Sequence, residues 1–168
     1  MLTSRVVKTG NSIDKAIRHL QQANNKVEIG VFGEQGQHPT ANMTYVELLR
    51  YHASPDDPNT PTRDVIFTLS QALHTSKLKH PEIQKAIMRW ASQPFSKQSD
   101  KKLLNDIGKV IRDWGKDYIF GNPNVLADNS PATIAMKDGR NEPLVDDGHL
   151  RNAFAFKTSL EKVIRENS

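Results

Sequence analysis

A chain of 168 residues, 36% hydrophobic and 25% charged, is long enough for one domain of ordinary size and too short for two robust ones. It has no cysteine, which excludes disulfides and thiolate metal sites and fits a reducing compartment. Its 23 basic and 19 acidic residues give a formal charge of +4, a mild excess that permits a nucleic-acid surface without demanding one.

No run of five like charges forms a basic arm. No apolar run approaches the ~20 residues of a membrane-spanning helix. The opening MLTSRVVKTGNS lacks the apolar core of a signal peptide, so the expectation is a protein made and used without export. With a mean hydropathy of −0.62 the core is modest and polar loops are long. The expected organisation is a single domain over residues 1–168. It comprises an N-terminal helix at about 12–23, a core at about 27–158 and a short C-terminal tail.

Asn11 and Ser12 precede Ile13, Ala16, Ile17 and Leu20 at helical spacing. Asn24–Asn25 break that helix. Val27–Phe32 alternates and is rich in β-branched residues, so it reads as a strand. Gly33–Ala41 is a polar loop. Asn42 or Thr44 caps a short helix over Tyr45–Ala53, with Tyr45, Leu48, Leu49 and His52 on one face. Ser54–Pro61, reading SPDDPNTP, is a loop. Asp64 caps the next helix, whose apolar side holds Val65, Ile66, Leu69, Ala72 and Leu73. Pro81 takes a first-turn position; Ile83, Ala86, Ile87 and Trp90 follow, and Pro94 ends or kinks that helix.

Lys101–Phe120 is the clearest helix, with Leu104, Ile107, Ile111, Trp114 and Tyr118 every three or four residues. Gly121-Asn122-Pro123 stops it. Ser130-Pro131 opens a short turn through Met136. Asp147 or Gly148 starts one helical turn over His149–Asn152, and Ala153–Thr158 is a strand with Phe154 and Phe156 on one face. The expected fold is α+β: a small antiparallel or mixed sheet packed against a long helix, with additional short helices and long loops. Both strands read as half-buried, which favours antiparallel pairing with one face covered. The partner of the first strand is either a hairpin within Glu34–Ala41 or a strand after Leu160.

Chemistry has few places to sit. Asp146, Asp147 and His149 have the residue types of a metal or acid–base cluster. The simpler reading is a carboxylate capping a turn whose backbone angle Gly148 supplies. Asp56 and Asp57, with His52 upstream, lie between prolines and read as a turn bonding its own backbone. Gly30, Gly33 and Gly36 do not have dinucleotide-binding spacing. Lys109, Arg112 and Lys116 fall on adjacent turns and offer a nucleic-acid groove, but Asp106, Asp113 and Asp117 are interleaved with them. Trp90 and Trp114 read as core. No GxSxG, HExxH, Walker or Cys–His arrangement occurs, and no enzyme activity, cofactor or metal is expected.

VEIGVF, then TYVELLRYHA, then a proline-flanked passage into TPTRDVIFTLSQAL resembles the first half of a family of small tailed-phage proteins. These are tail-completion or head–tail joining proteins of the virion morphogenesis or minor tail type. SPATIAMKDGRNEPLVDDGHLRNAFAF is similar to the second half, with matches at Thr133, Lys137, Pro143, Leu144, Asp146, Gly148, Leu150 and Arg151. The chain departs at Tyr51-His52-Ala53, where the family often carries Glu-Phe-Gly. It departs again at Pro61-Thr62-Arg63-Asp64-Val65, where Pro-Ala-Arg-Pro-Phe is usual.

The resemblance implies a structural virion protein at the neck or tail-terminator region, assembled in the host cytoplasm as a ring of copies. Neighbouring neck and tail proteins would be its partners, DNA would be only passing cargo in the lumen, and no membrane would be involved. The motif itself reads as scaffold: Pro143 stiffens the approach, Leu144 and Val145 anchor it, Asp146 accepts backbone N–H groups, Gly148 permits the reversal and Arg151 holds a carboxylate or carbonyl. Glu34, Gln35, Gln37 and His38 in one loop, and Asp56, Asp57 and Asn59 in another, are the expected subunit contacts. Deleting Glu34–His38 is expected to spare the fold.

Overall fold

The computed structural model describes residues 14–19, 25–76 and 80–159, and the backbone of 161–164. Residues 14–19 are helical (α1); the outer turns expected at 12–23 and the expected tail lie outside the described residues. In chain order there follow β1 (Val27–Gly30), a 3-10 turn (Gly33–Gln35), α2 (Tyr45–Ala53), α3 (Val65–Ser76), α4 (Pro81–Ala91), α5 (Lys97–Ile119), α6 (Pro131–Met136), α7 (His149–Ala153), β2 (Ala155–Thr158) and β3 (Glu161–Ile164).

Local chemistry sets most of these boundaries. Thr44 Oγ1 accepts from Glu47 N at 3.1 Å while the Glu47 carboxylate accepts from Thr44 N at 2.7 Å, a reciprocal cap that starts α2. Asp64 Oδ1 accepts from Phe67 N at 2.8 Å at the head of α3. Pro81 and Pro131 occupy first-turn positions of α4 and α6. The long helix begins at Lys97, four residues before the expected start, because Ser96 Oγ takes Ser99 N at 3.1 Å. β1 ends at Gly30 where alternation alone carried it to Phe32; Phe32 N instead donates to the Gln35 side chain at 2.6 Å and opens the 3-10 turn.

The architecture is α+β. The sheet has the order β1-β2-β3, antiparallel throughout, with Val27 opposite Thr158 and Ile29 opposite Phe156. The early and late strands pair with each other, so the partner of β1 is β2 and neither of the two expected for it; the strand after Leu160 lies on the far side of β2. The polar loop contributes only an isolated bridge between Gln37 and Thr44. β2 is the central strand, and Ala155, Phe156 and Thr158 are buried, so it is not the half-buried strand its alternation indicated. Both flanking strands and α5 cover it.

α5 crosses the sheet on two glycines. A Cβ on Gly108 would lie 2.6 Å from Cε2 and 2.8 Å from Cγ of Phe156; one on Gly115 would lie 3.2 Å from Leu69 and 3.4 Å from Phe154. Phe154 and Phe156 therefore share a side, as expected, and the groove they fill is the bare backbone of the helix. The expected stripe on α5 is rotated accordingly. Leu104 and Ile111 are buried, but Tyr118 is exposed, while Gly108, Arg112, Gly115 and Ile119 face inward. The main core gathers Leu49, Val65, Leu69, Ile119, Phe120, Leu126, Leu150 and Phe154. A second cluster, Ala16, Ala86, Trp90 and Leu103, joins α1 and α4 to the first turns of α5. There the Asp100 carboxylate accepts from Trp90 Nε1 at 2.9 Å and meets His19 Nε2 at 2.8 Å.

Gly108→Ala should destabilise the protein by about 1 to 3 kcal/mol in urea denaturation, because overpacking against Phe156 outweighs the ~1 kcal/mol helix-propensity gain. An unchanged or raised midpoint would show that helix and strand are not in close contact.

Candidate functional site

The passage from Glu142 to Ala153 is a rigid corner. Pro143 is fully buried, and its carbonyl accepts from Gly121 N at 2.9 Å, tying the corner to the end of α5. Leu144 adopts φ +59°, an uncommon angle for a residue with a branched side chain. Lys137 holds it there: its ammonium donates to the carbonyls of Glu142, at 3.4 Å, and Val145. Gly148 caps α7 at φ +80°, where glycine has no steric penalty. Leu150 then enters the main core, with Leu144 and Val145 packed against it.

The acidic residues divide their roles differently from expectation. Asp147 Oδ1 accepts from His149 N at 3.1 Å, and its Oδ2 lies 3.1 Å from His149 Nε2. Asp146 was expected to take the backbone N–H groups, but its carboxylate accepts no hydrogen bond among the described residues. The neighbour's carboxylate reaches the amide two residues on, the usual turn geometry for Asp. Arg151 Nη2 meets Asp117 Oδ1 at 2.7 Å in an exposed pair, a single contact of small energetic value.

A cleft of about 310 Å³ opens beside the corner. Leu144 to Leu150 form one wall; His38, Leu48, His52 and Arg63 face them, with Asn129 and Lys137 between. Arg63 is only 7% exposed. Its Nε donates to Ala127 O at 2.8 Å, and its Nη2 to Asp128 O at 2.6 Å and Asn129 Oδ1 at 3.2 Å. Burial lowers the pKa of this guanidinium, and the nearby Asp128 carboxylate partly offsets the effect. His52, whose carbonyl accepts from Arg63 N at 2.6 Å, is held down to about 4 by burial and then by the Arg63 charge. It is a neutral imidazole at pH 7, and its buried Nδ1 has no hydrogen-bond partner among the described residues. His38 meets both Tyr45 and His149 edge-on, with ring centroids 5.2 and 5.5 Å apart.

The structure thus brings His38, from one expected contact loop, to Leu144, Asp146, Gly148 and Leu150 of the motif. Glu34 and Gln37 are exposed. Gln35 is not a surface residue: it is buried, with its amide donating to Ala153 O and its carbonyl oxygen accepting from Phe32 N. Removing Glu34–His38 would therefore also take away a side chain that holds the carbonyl at the end of α7. Asp56, Asp57 and Asn59 are exposed, and Asp57 Oδ1 accepts from Asn59 N at 2.9 Å, the self-bonded turn expected of that sequence. His52 instead lines the cleft.

Asp146, Asp147 and His149 do not converge, and among the described residues no group of three His, Asp or Glu side chains is placed to hold a metal ion. Lys109 is exposed, but Arg112 and Lys116 are 3% and 6% exposed. Arg112 lies under the sheet with its guanidinium 5.6 Å from the Phe156 ring and 2.6 Å from Asp113. The three cations do not make one solvated stripe, because the glycine face that admits the sheet also draws these neighbours inward.

Sequence reasoning missed Arg63 and Asn129. The available signal was the Pro61-Thr62-Arg63 passage, which keeps the arginine of the resembled pattern. No helix among the described residues is long and apolar enough to cross a membrane. No family model, curated protein or solved structure matches the chain.

A histidine with a folded pKa near 4 and an ordinary value of 6.5 binds its proton more readily when unfolded. Stability should therefore fall as pH drops through that window. The slope of unfolding free energy against pH should be shallower in His52→Gln than in the parent; identical slopes would remove His52 as a cause. Gly148→Ala should cost about 1 to 2 kcal/mol through backbone strain alone, since the left-handed angle is unfavourable to a Cβ. Gly148→Asn should recover part of that loss in the same denaturation assay.

Proposed function

We propose that this chain is a structural protein of a tailed-phage virion, acting as a ring of copies in tail completion or head–tail joining. The observation that carries the reading is that the stretch most similar to that family is built as a scaffold. Pro143, Leu144, Gly148 and Leu150 fix a corner and deliver β2 to the centre of the sheet. The family resemblance itself, spanning about Val27 to Phe156, supplies the identity of the assembly.

Phe67 on α3 is 61% exposed and Met136 on α6 is 86% exposed, with Met88 on α4 also at the surface. Apolar side chains scattered singly are ordinary on a protein surface, so the reading does not rest on these three. The Asp57 turn and the outer residues of the Gly33–Ala41 loop project from the fold and are the proposed contacts with adjacent copies or flanking neck and tail proteins. DNA would pass through the lumen as cargo.

Quantitative mass spectrometry of purified virions tests the reading. The chain should be present at about half as many or as many copies as the portal protein, as a closed ring at the junction requires. Its absence from virions would overturn the proposal. An Asp56→Lys variant should melt like the parent, since that side chain is exposed and makes no hydrogen bond among the described residues, yet be incorporated less. Full incorporation would remove that loop from the interface.

A further inference from the structure

We propose that the cleft beside the corner recognises a carboxylate through Arg63 and Asn129, and that the carboxylate is carried by an acidic side chain on a docking peptide segment. The inference concerns the chemistry of the cleft and stands whether or not the chain belongs to a virion.

Arg63 is buried, yet no carboxylate closes on it within ion-pair distance among the described residues. Its three bonds go to two main-chain carbonyls and the Asn129 amide oxygen, through Nε and Nη2 only. Nη1 meets no acceptor among the described residues. The Asp128 carboxylate is close enough to act on the guanidinium, but it accepts from Asn141 Nδ2 at 2.8 Å. Asn129 is 9% exposed, and because its Oδ1 is fixed toward Arg63, its Nδ2 is turned away as a buried donor with no acceptor among the described residues. Two residues that hold each other thus line one cleft, and each keeps an N–H group without an acceptor among the described residues. A guanidinium and an amide N–H are both donors of the kind that the two oxygens of a carboxylate accept from.

The remaining lining selects the charge and the carrier. Lys137 and Arg63 are balanced by Asp146 and Asp147 around the same cleft, and Lys137 is occupied by the corner carbonyls. A lining with no net charge attracts a dianion weakly, which disfavours phosphate. Leu48, Leu144, Val145 and Leu150 supply apolar wall in a volume of about 310 Å³. That space suits the methylene stem and backbone of an inserted residue better than a free small anion, which would leave the apolar wall uncovered.

The test is titration of the 15N-labelled full chain, followed by the Arg63 Nε–H and Asn129 side-chain amide signals. The probes are acetyl-Gly-Glu-Gly amide, its Gln counterpart, sodium acetate and inorganic phosphate at matched ionic strength. Both signals should shift saturably with the Glu peptide, and the Gln peptide should bind at least about tenfold more weakly, the difference between a charged and a neutral acceptor. Weaker binding of acetate than of the Glu peptide supports a docked segment. Acetate binding as tightly as the peptide keeps the carboxylate site and overturns the docked segment as its source.

Absent or non-saturating shifts, equal binding of the Gln peptide, or tighter binding of phosphate overturns the site. Arg63→Lys should abolish the Glu-peptide response, but that variant also loses clamps on residues 127–129. Asn129→Asp keeps the size and the acceptor for Arg63 while placing negative charge in the cleft; parent-like binding by a folded Asn129→Asp variant overturns the proposal.

Discussion

The approach of β2 to the backbone of α5 is the contact on which the rest of the structure depends. Helix and strand touch because Gly108 and Gly115 leave room for Phe156 and Phe154. A sheet of three short strands has little stability of its own, so the helix beneath it supplies the buried surface. Phe154, fully buried between Phe120 and Gly115, links that contact to the main core. β1, β3 and the corner are positioned by their attachment to this central strand. The corner matters for the same reason: it fixes where the chain turns before Phe154 is committed to the helix.

Burial of cations follows from that geometry. Arg112 and Lys116 sit on the turns next to the two glycines, so the sheet that settles there covers them as well. Arg112 resolves this by placing its guanidinium over Phe156 and against Asp113, which serves packing and charge together. Arg63 uses another solution. The effective cost of burying an ion is several kcal/mol. The bonds it makes to Ala127 O, Asp128 O and Asn129 Oδ1 are each worth about 1.5 to 3 kcal/mol when a charged donor is involved. These magnitudes are comparable, so Arg63 can hold the 127–129 segment in place without a carboxylate partner.

Much of the fold was legible because its boundaries are written in short-range chemistry. Thr44 with Glu47, Asp64, Pro81 and Ser130-Pro131 announce helix starts through backbone bonds that need no tertiary contact, and those elements lie where the sequence places them. The face of α5 was not legible in the same way. Hydrophobic periodicity weights Tyr118 heavily and gives glycine nothing, although the glycines are the positions where the sheet lands. β2 was misjudged for a related reason: alternation reports a strand's two faces, but not whether a second strand and a helix will cover both.

The candidate site was half visible. The corner residues were recognisable as a unit because proline, glycine and aspartate restrict the backbone locally. Their counterparts across the cleft were not, since His52, Arg63 and Asn129 are distant in sequence and each has an ordinary reading alone. Juxtaposition changes their chemistry. Buried, and next to a guanidinium, His52 becomes a poor base; next to Arg63, the Asn129 amide loses its freedom to flip. The Arg63 N–H to His52 carbonyl bond joins the end of α2 to the start of α3, so the same residue that shapes the cleft also spans the SPDDPNTP loop. That bond draws the two ends of the exposed loop together beside the cleft.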